Sequence, residues 1–385
     1  MKDKSKFKLK HFINYIVIGA ATIIFTILNF TGVLGLSEQF LLEKITIAII
    51  LAVSLGLVVG FLGELSLGHA GFMCIGAYIG GKISALLSSS SLGTGLPNLL
   101  ISIIVGGIAA AIAGVAIGLP ALRLKGDYLA IVTLAFGEIV KTLFLNSSDE
   151  SFGGPIGLET PRYDRNHLFI IGFVLVLVML AIIQNIIRSK HGRAITSIRD
   201  SEIAARATGI NVTRYKLLVF ALSAFFAGIA GVLYSFSNYR VQCTKFDYNY
   251  SIEILVMVVL GGMGSVNGSI LSATLITFLQ VQLASILTGD LAVLQNIFYA
   301  LVLILIVIYN NAPALKGFRE THNLKTFFSK LFKKKKEDVD PSLVKDDEAK
   351  WNRIPTKINM DELLSMDVKV TESTMKPDKD KGGSS

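Results

Sequence analysis

Apolar runs recur along the chain as far as residue 310, separated by short polar stretches. They fall at about 13–36, 45–62, 96–119, 128–145, 167–187, 217–236, 252–263, 269–287 and 291–309. Most reach or approach the roughly 18 residues with which a helix crosses hydrocarbon. Between the second and third lies GELSLGHAGFMCIGAYIGGK (63–82), rich in glycine and small residues and still weakly apolar. Counting it as a span gives ten, the eighth of them short. The pattern therefore predicts an all-α polytopic membrane protein of about ten transmembrane or re-entrant helices. The first run follows five lysines and resembles a signal peptide, but it is too long for an h-region and no A-x-A site follows. It is read as a retained span. An even count that starts inside returns inside, so both termini are expected in the cytoplasm.

The polar stretches sharpen this organisation. A basic cytoplasmic N-terminus covers 1–12, a membrane domain 13–310, and a polar tail 311–385 with a lysine run at Lys333–Lys336. The tail has too little apolar content for a core and reads as a disordered cytoplasmic segment. The longest internal polar stretch is 188–216, RSKHGRAITSIRDSEIAARATGINVTRYK. Its cations are Arg188, Lys190, Arg193, Arg199, Arg206, Arg214 and Lys216, opposed only by Asp200 and Glu202. Lys and Arg beside spans resist translocation, so this loop belongs in the cytoplasm. With that orientation, the segments before the tail that face inward hold 14 Lys or Arg, against at most 7 on the other side. Inside the loop a short helix is expected. Ser197 or Asp200 would cap it, Ile203, Ala204, Ala205 and Ala207 form its body, and Gly209 ends it in a left-handed turn.

Composition agrees. Hydrophobic residues make up 52% of the 385-residue chain, charged residues only 17%, and mean hydropathy is +0.60. A soluble domain needs more charge to cover its surface. The net charge of +9 lies in flanks and loops, where orientation puts it, and does not point to nucleic acid. Two cysteines, Cys74 and Cys243, are too few for a disulfide framework, and Cys74 reads as a packing residue.

No nucleotide-binding, metalloprotease, nucleophile-elbow or paired-cysteine motif occurs, so neither an enzyme nor a bound cofactor is expected. Small-xxx-small pairs recur at Gly56/Gly60, Gly76/Gly80, Gly114/Gly118 and Gly264/Gly268 and imply close helix packing. Ionisable residues at membrane depth cost about 2.5–3.5 kcal/mol on insertion scales, so Glu64, His69, Glu138 and Glu253 should face protein or water. Glu138 and Glu253 read as interfacial. Glu64, Ser66 and His69 lie among glycines that suggest a broken helix. A fainter counterpart, GGMGSVNG at 261–268, holds Gly262 and Gly264. Interrupted segments in matching places mark substrate routes in transporters. Glu64, Ser66, His69, Gly262 and Gly264 are therefore the candidates for a translocation pathway.

Four stretches together resemble the LivM-type permease subunits of ABC importers for branched-chain amino acids. They are GELSLGHAGFMCIGAY (63–78), LRLKGDYLAIVTLAFGEIVK (122–141), GRAITSIRDSEIAARATGINVTRYKLLVFALSAFFAGIAGVLY (192–234) and MVVLGGMGSVNGSILSA (257–273). The likeness covers about 13–310, and the tail is longer than the family leads one to expect. The resemblance implies that Glu202, Ile203, Ala204, Ala205, Arg206 and Gly209 form a coupling helix that docks on an ATP-hydrolysing subunit. It implies further partners: a second homologous permease, an extracellular binding protein and the lipid of a bacterial plasma membrane. The implied cargo is Leu, Ile and Val, with nucleosides, urea, short amides or, less readily, a sugar as alternatives within the family. An ion-coupled secondary transporter using Glu64 or Glu138 is the alternative from a different class.

Overall fold

The computed structural model describes residues 13–286 apart from 90–92, 94, 125 and 162–164, together with 300, 301 and 304. The described residues all belong to one compact unit, Met1–Asn311. The N-terminal lysines, the tail and almost all of the run at 291–309 lie outside the described residues.

The described part is helical. In order come α1 (Ile13–Phe30), α2 (Leu36–Gly56), α3 (His69–Ser88), α4 (Leu96–Ala121), α5 (Asp127–Leu145) and a single turn, α6 (Asp149–Phe152). Then follow α7 (Arg165–Arg188), α8 (Lys190–Asp200), α9 (Glu202–Ala207), α10 (Val212–Asn238), α11 (Tyr248–Gly261) and α12 (Val266–Ile286). Two short strands, β1 (Leu158–Glu159) and β2 (Arg240–Val241), form one antiparallel ladder. Among the described residues seven helices are long and apolar enough to cross a membrane: α2 to α5, α7, α10 and α12. The apolar helices α1 and α11 are shorter. This is an all-α polytopic membrane protein.

The second span departs from the expected 45–62. α2 begins at Leu36, because Gly32, at φ +72, and Gly35 separate it from α1. Gln39, Glu43 and Lys44 are thereby drawn into the helix rather than left in a loop. The polar side chains find partners there: Gln39 donates to Asn29 and Glu43 accepts from Ser237 of α10. The glycine-rich stretch 63–82 does supply a span, displaced toward the C-terminus to His69–Ser88. Residues 63–68 are non-helical and α3 starts only at His69.

α2 is the centre of the bundle, 94% buried over its most apolar window, whereas α5 and α12 are 28% buried. On the outer helices Ile104, Ile108 and Ile112, and Val174, Val178 and Ile182, face outward at a spacing of four. Such stripes suit lipid. In lipid, helices associate through close backbone contact rather than the hydrophobic effect. Gly76 of α3 meets Gly228 of α10, and a Cβ there would lie 2.2 Å from the Gly228 carbonyl oxygen. Gly114 and Gly118 of α4 seat α10 through Ala224 and Leu217. Cys74 is fully buried in this packing.

Candidate functional site

The last turn of α2 widens into a π-helical turn, Leu57–Leu62, and stops at Gly63, whose φ of +80 only glycine adopts freely. From there the chain doubles back into the bundle. His69 Nε2 lies 2.8 Å from Ser54 Oγ. Ser54 sits nine residues before Gly63, roughly 13 Å back along a helix. α3 therefore begins at depth. Non-helical backbone is tolerated there only where protein satisfies it, and here protein does. The Leu67 N–H donates to Thr133 Oγ1 at 3.0 Å. Gly68 offers no capping side chain, and Ser251 of α11 replaces it, accepting from the Ala70 N–H at 3.1 Å. Gly68 lies against the Thr133 carbonyl and Gly71 against Gly137, so α5 grips the break from one side.

The turn between α11 and α12 is a second break, with Gly262 at φ +91 and Gly264 at φ +85. The two breaks meet. A Cβ on Gly60 would lie 2.3 Å from the Gly264 amide nitrogen.

The polar loop lies over this meeting point. α8 is capped by Ser189, whose hydroxyl accepts from the His191 and Gly192 amides. α9 is capped by Ser201, which accepts from the Ala204 N–H at 3.3 Å. The expected cap at Ser197 or Asp200 is thus corrected: both belong to α8, which the loop's first polar residues extend into a helix of its own. Gly209 is left-handed at φ +83, and the Ile210 and Gly209 amides return to Ala205 and Arg206, closing the helix as expected. Arg199 Nη1 donates to the Gly60 carbonyl at 3.2 Å, while its aliphatic stem lies against Gly63. Lys216, buried at the start of α10, bonds Glu64 and, at 3.3 Å, Glu202. Glu202 also pairs with Arg206 at 2.6 Å. A relay of charges, Arg206–Glu202–Lys216–Glu64, therefore runs from α9 to the first residue after the α2 stop.

Of the predicted coupling residues, Ala205 packs inward at 3% exposure, while Ile203 is 81% exposed beside exposed Ala204 and Arg206. α9 thus presents a small apolar knob. Of the pathway candidates, Gly264 lies at the meeting of the breaks and Glu64 is ion-paired. His69 is bonded to Ser54 and not to Ser66, despite the three-residue spacing. The Ser66 hydroxyl is buried with no partner among the described residues. Glu138 pairs with Lys141 at 2.8 Å and accepts from the Tyr248 N–H at the far end of the bundle. Sequence reasoning missed Ser54, Thr133 and Ser251, and saw in Arg199 and Lys216 only orientation charge. Thr133, Arg199, Lys216 and Ser251 reach partners 66 to 181 positions away along the chain, beyond any local pattern.

A family described as branched-chain amino acid transport system / permease component matches residues 37–308. The high-affinity branched-chain amino acid transport system permease protein LivM of Salmonella typhimurium is 39% identical over 264 residues, 60% of each chain. A probable branched-chain amino acid transport permease protein LivM of Methanocaldococcus jannaschii is 29% identical over 202 residues, 50% of this chain and 57% of the relative. The ribose import permease protein RbsC of Escherichia coli K12 is 28% identical over 192 residues, 47% of this chain and 56% of the relative. The chain thus spans about 60% of the length of the first of these. No solved structure matches it.

Proposed function

The chain belongs to the branched-chain amino acid transport permease family, and on that footing we propose that it is the membrane subunit of an ATP-driven importer of Leu, Ile and Val in a bacterial plasma membrane. Both termini and the 188–216 loop face the cytoplasm, and the run at 291–309 completes ten spans. The polar tail 311–385 is a cytoplasmic extension. A homologous permease pairs with this one, ATP-binding subunits dock on the loop, and an extracellular binding protein delivers cargo to the opposite end. The similarity to LivM proteins supports the cargo.

The observation that carries the mechanism is the pair of links from the loop to the breaks: Lys216 between Glu202 and Glu64, and Arg199 on the Gly60 carbonyl. α9 is capped at both ends and so moves as a unit. When ATP closes the partner subunits, a push on the Ile203 knob reaches Glu64 through two ion pairs and Gly60 through one hydrogen bond. The π turn, the 63–68 segment and the 262–264 turn are the elements able to change packing in response. The bundle needs only two packings whose balance the ATPases bias. An ion-coupled carrier using Glu64 or Glu138 would instead need that carboxylate free to bind its ion. Glu64 is held by Lys216 and Glu138 by Lys141, which counts against that reading.

The test is Ile203→Glu in the assembled complex reconstituted into vesicles. Ile203 is exposed, so the fold should stand. Leucine uptake and leucine-stimulated ATP hydrolysis should fall about tenfold or more, the size of losing one anchor residue at an interface. Uptake at the wild-type rate, or uptake abolished by an ionophore and indifferent to ATP, would sink the reading.

A further inference from the structure

At the end of the bundle away from the polar loop lies a cavity of about 380 Å³, within the size range of small-ligand sites. Two cations reach it, Lys44 from α2 and Lys245 from the turn before α11. Neither lies within salt-bridge distance of a carboxylate among the described residues. The Lys44 ammonium is steadied over the Phe40 ring, 4.6 Å from its centroid. One carboxylate reaches the cavity, Glu253 of α11. Gln280 of α12 donates to its Oε1, and its Oε2 has no hydrogen-bond donor among the described residues. On α12 the Thr277 hydroxyl also lines the cavity, buried and without a partner among the described residues. Ile47, Ala48 and Met257 give the wall an apolar stretch, and Tyr234, Phe246, Tyr250 and Asn238 complete it.

Buried polar groups are ordinarily paired, and charges at a membrane-protein surface pocket seek opposite charge. Here cations, a carboxylate oxygen and a hydroxyl share one pocket with their hydrogen-bonding capacity unspent. A sugar would leave all three charges unanswered. A phosphate would answer the lysines but place its charge against Glu253. A zwitterion with an aliphatic side chain answers each group once.

We propose that this cavity binds an aliphatic α-amino acid, its carboxylate between Lys44 and Lys245, its ammonium at Glu253, and its side chain along Ile47, Ala48 and Met257. The assignment rests on the import reading above and adds the site where cargo waits on the delivery side. It also gives cargo a line to the far end. α2 carries Lys44 in its first half and leads into the π turn that holds Gly60, and α11 runs past Glu253 to the glycine turn that touches Gly60. Occupancy therefore bears on the two helices whose ends meet under the coupling loop.

The test is equilibrium binding of radiolabelled L-leucine to the purified complex in lipid nanodiscs, in competition with 3-methylbutylamine and 4-methylpentanoate. These competitors lack the carboxylate and the ammonium respectively. Each should bind about tenfold or more weaker than leucine, the worth of one charge-assisted contact. Glu253→Gln should weaken leucine to a similar degree and leave 4-methylpentanoate unchanged. Lys245→Met should weaken leucine and 4-methylpentanoate and leave the amine unchanged. The competitor series on the wild-type complex needs no variant to fold. The site assignment fails if leucine binds no better than its halves, if the variants bind like wild type, or if adding anionic lipid displaces leucine and accounts for the lysines. ATP-driven leucine uptake, measured in parallel, stays normal if only the site is wrong and is absent if the import reading itself is wrong.

Discussion

Under the polar loop, Lys216 meets Glu64 and Glu202, Arg199 meets Asp200 and the Gly60 carbonyl, and two glycine turns touch with no room for a methyl group. At the opposite end Lys44 and Lys245 face a cavity, and among the described residues Glu253 is half-satisfied and Thr277 has no partner. One end answers its own charges and is shut; the other leaves them for something else and is hollow. The difference teaches where to look for each task. A tightly paired network transmits force because moving one member drags the next. A pocket of unmatched groups is arranged for a visitor.

Substitutions should separate the two ends by their signature. The largest effect is expected from Lys216→Met, which strands the half-buried Glu64 carboxylate; breaking a fully buried pair from one side costs about 3–5 kcal/mol, and this one belongs at or below the low end of that range. Thermal unfolding in detergent should show it, and adding Glu64→Gln should restore much of the loss. If the double variant is as unstable as the sum of the singles, the two residues are not coupled and the relay is wrong. Next comes Gly60→Ala. The new Cβ meets the Gly264 backbone rather than a flexible side chain, so overpacking of about 1–3 kcal/mol follows, with uptake falling more than leucine binding. An alanine that leaves uptake intact would show that the breaks do not need to touch. The smallest effect belongs to the hollow end. Thr277→Val removes an orphaned hydroxyl and should raise stability by up to about 1 kcal/mol, while leucine binding weakens. A loss of stability instead would mean that the hydroxyl is satisfied and the ends are more alike than they look.

The apolar runs made the all-α membrane fold legible, because a span is a local property of some twenty residues. The loop helix was legible for the same reason: small residues between a capping serine and Gly209, on a cationic stretch, lie within ten positions of one another. Its exact cap was missed because Asp200 reads equally well as a cap or as the end of α8. The glycine break at 63–68 was visible as composition, but its depth was not, since that depends on Ser54, Thr133 and Ser251 from three other helices. The cavity was invisible. Its polar groups stand at positions 44, 245, 253, 277 and 280, and in isolation Glu253 looks like an ordinary interfacial acid.

The π turn at Leu57–Leu62 holds one residue more than an α turn would over the same rise. That surplus is slack in the thread of α2. If the turn tightens to α geometry, everything beyond it, beginning with Gly63 and Glu64, swivels by about 100° around the helix axis, one residue's step. A screw that can skip a single notch converts a small tug on Glu64 into a change of which side chains look inward, with no need for the rest of α2 to slide.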